Sequence, residues 1–394
     1  MGRFKTELED LKKRQKELEH SYSNIGTIRF LMFLVMLGGL IVGLYDSNIP
    51  FLAVGIVAVV IFVLLVFRHG KLNEELEYTK AKVIVYERYM KRYDDSWKEF
   101  AEDGSEYLTD DDLVAKDLDI MGKNSIYQFI CVAGTEDGRQ MLAETLRQPE
   151  FAAEDRTKRQ IAIQELAEKH DFSMDFETLC VKSETGKKKK YSSDEFVAYC
   201  TSDDHIPEIF QVLRFLLPLI TIVLLILGIM GKVNLGYSLL FAWITSGVAG
   251  QAVMPMISFG YVINDYIRMF ELVSGETFDS ELLNDIKNTI STDSGALNAV
   301  KKLERISAAF NIRYNPIVHQ VLCGLFLWDF HLGIMMDKWR DQYGSQVKDW
   351  IHAISRMEEL LSFAVLARTR EVSYPEVTRH EKVEVSAENL RHPL

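Results

Sequence analysis

Hydrophobic positions in this chain follow two patterns, unbroken blocks and periodic stripes. Ile28–Tyr45, Ile49–Phe67, Val212–Met230 and Leu235–Val262 are almost free of charge, and each is near or above the roughly 20 residues that span a hydrocarbon core. Only Arg29, Arg214 and Lys232 fall in or beside them, all near the ends, where a long side chain can snorkel to the surface. The run Phe215–Met230 has no polar face, and a helix apolar all round needs lipid or a large core around it. The blocks predict two transmembrane helical hairpins, at 28–67 and 209–262, in an otherwise all-α protein.

The stripes predict the rest. Phe4, Leu8, Leu11, Gln15 and Leu18 alternate spacings of four and three, the seam of a short coiled coil. This amphipathic helix (1–27) finds its partner in the membrane-proximal helix (68–108), where Leu72, Leu76, Val83 and Tyr86 lie among charges. Glu102–Asp112 breaks that helix, and Thr109 with Asp112 reads as a capped restart. In the region 109–208, Ser125–Leu146 and Glu154–His170 read as amphipathic helices, and Asp171–Ile206 as more irregular. In 263–370, helices are expected at Phe278–Thr289, Ser294–Phe310, Pro316–Tyr343 and Gln346–Ala367, with Gly344 punctuating the last two. Pro316–Trp339 is apolar enough to raise the question of a fifth span, but Asp329, His331 and Asp337 argue for a buried core helix. In 371–394, Val383-Glu384-Val385 alternates like a short terminal β-strand without a partner.

Charge adds direction. The 394 residues are 26% charged with a net charge of -12. A highly charged stretch of roughly 25 residues precedes the first block, so no cleaved signal peptide is expected. Arg3, Lys5, Lys12, Lys13, Arg14 and Lys16 precede that block, Arg68 and Lys71 follow the second, and the turn Asp46-Ser47-Asn48 has no basic residue. The N-terminus, middle region and C-terminus are therefore expected on the cytoplasmic side of a cell membrane, with lipid as a partner. Lys232, in the outer turn of the second hairpin, fits this less cleanly. The negative balance works against nonspecific nucleic-acid binding, which needs clustered Lys and Arg. Cys131, Cys180, Cys200 and Cys323 form no CxxC pair and suit a reducing compartment.

Candidate chemistry is sparse. Gly186-Lys187 and Gly231-Lys232 lack the remainder of a phosphate-binding loop, so no catalytic residue, cofactor or metal is expected in this chain. His319 and Cys323 lie four apart on one helix face, but two ligands do not make a site. Asp110–Asp112 fits a helix start, where the dipole favours negative charge. The run Lys187, Lys188, Lys189, Lys190 is either a solvated loop or a contact for anionic lipid or phosphate. Gly39 with Gly43, and Ser246 with Gly250, give small-xxx-small faces for packing spans together. Intramembrane carboxylates, histidines or lysines that would line a transport path are absent from the blocks.

Three stretches resemble the MutS-type DNA mismatch repair family, in particular its membrane-spanning MutS-like branch. The first is Asp117–Gln128 with Gly138-Arg139, Leu142, Leu146, Arg159-Gln160 and Glu165-Leu166, similar to the start of the family's helical core. The second runs from Asn315-Pro316 to Trp328-Asp329, then Trp339, Tyr343-Gly344, Trp350 and Glu358–Ala364, and is similar to its lever helices. The third is Tyr374-Pro375-Glu376 with Leu390-Arg391-His392-Pro393, similar to the motif before the family's ATPase domain. The resemblance implies a membrane-anchored core and lever region without its own ATPase domain. ATP, Mg and a homodimer contact would belong to that domain, beyond residue 394, and mismatched DNA would be a partner. Phe100-Ala101-Glu102 spells the family's mismatch-reading wedge without the domain around it, and the second hairpin lies where the family inserts its DNA clamp. A membrane scaffold binding protein partners rather than DNA is the alternative expectation.

Overall fold

The computed structural model describes residues 2–45, 49–109, 112–147, 153–185, 193–202, 205–252, 266–291, 293–314, 316–376 and 385–390. Among the described residues the secondary structure is helical, with no strand. Val383 and Glu384 lie outside the described residues, and Val385 is not in a strand. The chain forms two compact units, Met1–Glu99 with Glu177–Lys182, and Phe100–Phe176 with Ser183–Leu394.

The first unit is built on two helices, Gly2–Tyr45 and Ile49–Tyr93, packed side by side. At 1.5 Å per residue each is roughly 66 Å long. They run antiparallel, since Phe33 meets Phe62, Tyr22 meets His69, and Arg14 binds Glu75 at 2.6 Å. At the polar end Phe4 stacks on Tyr89 with centroids 4.8 Å apart and touches Tyr86 and Tyr93. Phe4 and Leu18 are buried, and full burial of such a side chain contributes about 1.5–3 kcal/mol. The Tyr89 hydroxyl donates to buried Glu177 at 2.7 Å. Near the turn the helices close to backbone contact. A Cβ on Gly39 would lie 2.8 Å from the Gly55 nitrogen, and one on Gly43 would lie 2.6 Å from Leu52.

The second unit surrounds one helix, Val347–Thr369. Trp350, Ile354, Met357, Leu360, Leu361, Ala364 and Val365 are buried on several of its faces, as expected of a helix enclosed by others. Glu136–Arg147, Ala153–Glu168 and Glu281–Ser291 pack against it. Its Trp350 joins Phe270, Trp339 and Tyr343 in an aromatic cluster.

Among the described residues three helices are long and apolar enough to cross a membrane, Gly2–Gly43, Ile49–Tyr93 and Ile209–Ile229. The fourth apolar block is described only as Leu235–Ala252, and its apolar part, Leu235–Val248, is shorter. This helix packs against Ile209–Ile229. Trp243, Val212 and Phe215 point outward at 67%, 62% and 61% exposure, a surface that water does not favour.

Several helices depart from the sequence expectation. Asp171–Ile206 contains two, His170–Thr185 and Ser193–Thr201. Ser125–Leu146 is broken between Ile126–Ile130 and Glu136–Arg147. Pro316–Tyr343 is broken at Leu327, which takes left-handed dihedrals, φ 50° and ψ 47°. The chain turns by 78° there. A left-handed non-glycine residue costs about 1–2 kcal/mol, and burial of a leucine side chain, about 1.5–3 kcal/mol, offsets it. Leu327 is 3% exposed. The resulting short helix, Pro316–Phe326, packs against both Ile209–Ile229 and Leu235–Ala252.

Because the first pair touches through glycine, Gly39→Leu or Gly43→Leu is expected to force its apolar ends apart. Hydrogen exchange of the solubilised protein should show lost protection on both helices near the turn, and unchanged protection would contradict the close packing.

Candidate functional site

Two neighbouring carboxylates on Val347–Thr369 organise the polar interior. Glu358 and Glu359 are each 1% exposed. Glu358 accepts from the Gly134 amide at 3.0 Å, the Thr135 amide at 3.1 Å and the Thr135 hydroxyl. The Thr135 hydroxyl in turn accepts from the Gly138 amide at 3.0 Å. Thr135 is thus the cap of helix Glu136–Arg147, and Glu358 places a negative charge at that helix's positive end. One turn further, Ser362 accepts from the Val132 amide at 3.3 Å. Gly138 is required here, because a Cβ would overlap the Glu358 carboxylate. Glu359 is gripped by both terminal nitrogens of Arg159, in a fork geometry suited to carboxylate. Beside Arg159, Gln160 donates to the Pro375 carbonyl at 3.1 Å.

The same device recurs nearby. Glu165 accepts from the amides of Asp279 at 2.9 Å and Ser280 at 2.7 Å, so it caps Glu281–Ser291 from another helix. A surface depression of about 310 Å³ adjoins the Arg159–Glu359 pair. Of its polar lining, Arg159 and Gln160 are engaged by Glu359 and Pro375, while Thr145 and Arg156 complete the rim.

A second cluster forms around the break at Leu327. Arg313 holds Asp329 through its Nε at 3.0 Å and a terminal nitrogen at 2.5 Å. The His319 Nε2 lies 2.9 and 3.0 Å from the two Asp329 oxygens and 3.2 Å from the Cys323 sulfur. Cys323 and Asp329 are 5% and 4% exposed. His319 and Cys323 share a helix face, and the turn at Leu327 brings Asp329 back onto it.

The remaining sequence candidates are dispersed. Lys187, Lys188, Lys189 and Lys190 lie outside the described residues, as do Asp110 and Asp111. Gly39 and Gly43 face Gly55 and Leu52. Ser246 turns its hydroxyl back to the Trp243 carbonyl, and among the described residues nothing lies within 4 Å of a Cβ built on Gly250. The close approach in this second apolar pair is instead made by Gly228, at Leu235, and by the Ser238 hydroxyl, which donates to the Leu224 carbonyl at 2.8 Å. The Phe100 carbonyl accepts from Gln128 at 2.7 Å. Burial pushes the Cys200 thiol up to about 12, well away from thiolate chemistry. Gly344 abuts the Cys200 carbonyl so closely that a Cβ would collide with it.

No family model, curated protein or solved structure matches this chain. The geometry alone therefore ranks its residues. Glu358 and Glu359 stood out in the sequence only as the start of the stretch Glu358–Ala364, and the burial of their whole helix is what marks them as interior charges. Asp329 lies across a helix break that no glycine or proline announces.

Two outcomes follow from these sites. Glu358→Ala leaves the Gly134 and Thr135 amides without their acceptor, and Gly138→Ala crowds the same carboxylate. Each is expected to destabilise the protein by about 2–4 kcal/mol, with helix Glu136–Arg147 the first to lose hydrogen-exchange protection. Asp112 is bonded by the amide and hydroxyl of Thr109 at 2.8 and 2.7 Å and paired with Arg147 at 2.8 Å. These contacts hold its carboxyl down to about 2. A depressed folded pKa stabilises fully above the unfolded value of about 4 and is lost as pH falls through about 2. Carboxyl-labelled NMR should show Asp112 still ionised at pH 3, and a midpoint near 4 would contradict these bonds.

Proposed function

We propose that this chain is a membrane-anchored, non-catalytic helical framework of the MutS type, the core and lever region on which such a protein's nucleotide-binding domain would act. One observation carries the reading. The three sequence stretches that resemble the MutS core, far apart along the chain, meet around one buried helix. Gly138, Arg159 and Gln160 come from the first stretch, Glu358–Ala364 from the second and Pro375 from the third. A lever needs a stiff element bonded into the body it moves. Val347–Thr369 has that character, with two buried carboxylates clasped from outside the helix.

In this reading the four apolar blocks are two transmembrane hairpins, and the N-terminus, middle region and C-terminus share the cytoplasmic side. The basic residues flanking the first pair and the bare turn at 46–48 support that orientation. Beyond the apolar stretch, the antiparallel pair 2–27 and 68–93 continues for roughly 40 Å as a polar stalk.

One observation favours a scaffold without DNA contact over a repair protein. The interval where the mismatch repair proteins insert their clamp holds Ile209–Ile229 and Leu235–Ala252, whose outward residues include Val212, Phe215 and Trp243, with Arg214 and Lys232 the basic residues among those described there. Two dispersed cations and a net charge of -12 give little of the phosphate attraction on which DNA binding rests.

Topology reporters fused after Asn48 and after Gly231 should read as outside the cytoplasm, and those after Tyr93 and Leu390 as inside. A cytoplasmic signal at Asn48 would sink the hairpin reading. For DNA, the solubilised chain is titrated with mismatched and matched duplexes at low salt, alone and with a MutS-type ATPase domain fused to its C-terminus. Mismatch-selective binding by the fusion would restore the repair reading, and no binding in either form would support the scaffold. The chain alone is expected to hydrolyse no ATP above a buffer control.

A further inference from the structure

We propose that His319, Cys323 and Asp329 form a binding site for a borderline-soft divalent cation of the zinc class, with Arg313 as the group that orients the carboxylate. Lone pairs crowd together at this cluster. One nitrogen, His319 Nε2, lies within 3.2 Å of three electron-rich atoms, both Asp329 oxygens and the Cys323 sulfur. An imidazole nitrogen either donates one hydrogen or accepts one. Unprotonated, it faces two carboxylate oxygens at 2.9 and 3.0 Å with nothing between the lone pairs. Protonated, its single hydrogen serves the carboxylate, and the Cys323 thiol turns its own hydrogen to Asp329, so ligand-type atoms from three residues converge on one point that a cation can take in place of those hydrogens. A cation at the centre satisfies all three at once.

The donor set matches that chemistry. One atom from each residue can be chosen so that all lie within 4.8 Å of one another; metal–ligand distances of roughly 2.0–2.3 Å set tetrahedral edges of roughly 3.3–3.8 Å, so small side-chain shifts bring the three to ligand spacing. Thiolate, imidazole and carboxylate together favour zinc-like ions over magnesium or calcium, which prefer oxygen. Three protein ligands leave one position for water or an outside group. Arg313 leaves the site viable, since ligating carboxylates are held by outer hydrogen bonds of this kind. A thiolate and a carboxylate carry two negative charges, Arg313 cancels one, and a divalent ion leaves a net charge of one positive. Binding releases the thiol proton, so affinity should rise with pH.

Placement adds a second observation. The site is made by the bend at Leu327, and the helix carrying His319 and Cys323 packs on both Ile209–Ile229 and Leu235–Ala252. A Cβ at Gly324 would lie 3.9 Å from that of Ala242. A metal would therefore pin the bend and fix Pro316–Phe326 against the two apolar helices. The ion would hold structure; the open fourth position is not assigned a reaction.

The test uses the full chain in detergent, reduced and stripped of metal with a chelator, then titrated with Co²⁺. Saturation at one equivalent is expected, with a near-ultraviolet thiolate-to-cobalt charge-transfer band and visible d–d bands that Zn²⁺ removes. Cys323→Ser should abolish the charge-transfer band, while Cys180→Ser keeps it. His319→Gln and Asp329→Asn should each weaken binding at least 10-fold, with the far-ultraviolet circular dichroism of every variant checked against the parent. Absence of a cobalt spectrum in the parent overturns the proposal, as does a band that survives Cys323→Ser.

Discussion

Buried carboxylates are the constraint on which the second unit depends. An ionised carboxylate taken out of water costs several kcal/mol unless it is paired and fully hydrogen-bonded, and this fold buries Glu358 and Glu359 side by side. Adjacent helical residues point about 100° apart, so the two acids cannot share one partner. One draws in the cap of helix Glu136–Arg147, and the other draws in Arg159 from Ala153–Glu168. The charges therefore fix two helices at once around a third. Apolar packing alone tolerates sliding far better than these directional bonds do. Glu165 repeats the arrangement at Glu281–Ser291, so two helix starts in this unit are capped by a glutamate from another helix.

Much of the helical layout was legible in the sequence, and the reason is periodicity. Phe4, Leu8, Leu11, Gln15 and Leu18 are the less exposed positions of their stretch, because a seam at spacings of four and three has one way to be buried. The apolar blocks were legible because length and lack of charge admit few structures. Breaks were harder. Leu327 turns the chain without glycine or proline, and the Cys131–Thr135 interruption is stabilised by Glu358 and Ser362, more than 200 residues away. Local sequence holds no trace of a distant acceptor. The helices within Asp171–Ile206 were missed because Phe172, Met174 and Phe176 alternate at a spacing of two with polar residues between them, which conceals the helical period.

The candidate site was half legible for the same reason. A spacing of four places His319 and Cys323 together on any helix, whereas Asp329 joins them only through a backbone turn. What the site and the carboxylate pair share is that polar groups meet where the chain departs from straight helices. The apolar blocks contribute the opposite material, outward faces with no polar demand at Val212, Phe215 and Trp243.

The clasp between Glu358 and Thr135 closes a loop of 223 residues. Bringing its ends together costs on the order of 5 kcal/mol in chain entropy, more than a single charged hydrogen bond of about 1.5–3 kcal/mol returns. The clasp must therefore form with Arg159–Glu359 and the surrounding apolar contacts as one event. During synthesis at about 5–20 residues per second, Thr135 leaves the ribosome roughly 10–45 seconds before Glu358 does. Both apolar pairs precede Glu358 in the chain, so both are synthesised while helix Glu136–Arg147 still lacks its distant acceptor. The start of that helix therefore waits, its charge partner unmade, until the far end of the chain has been synthesised.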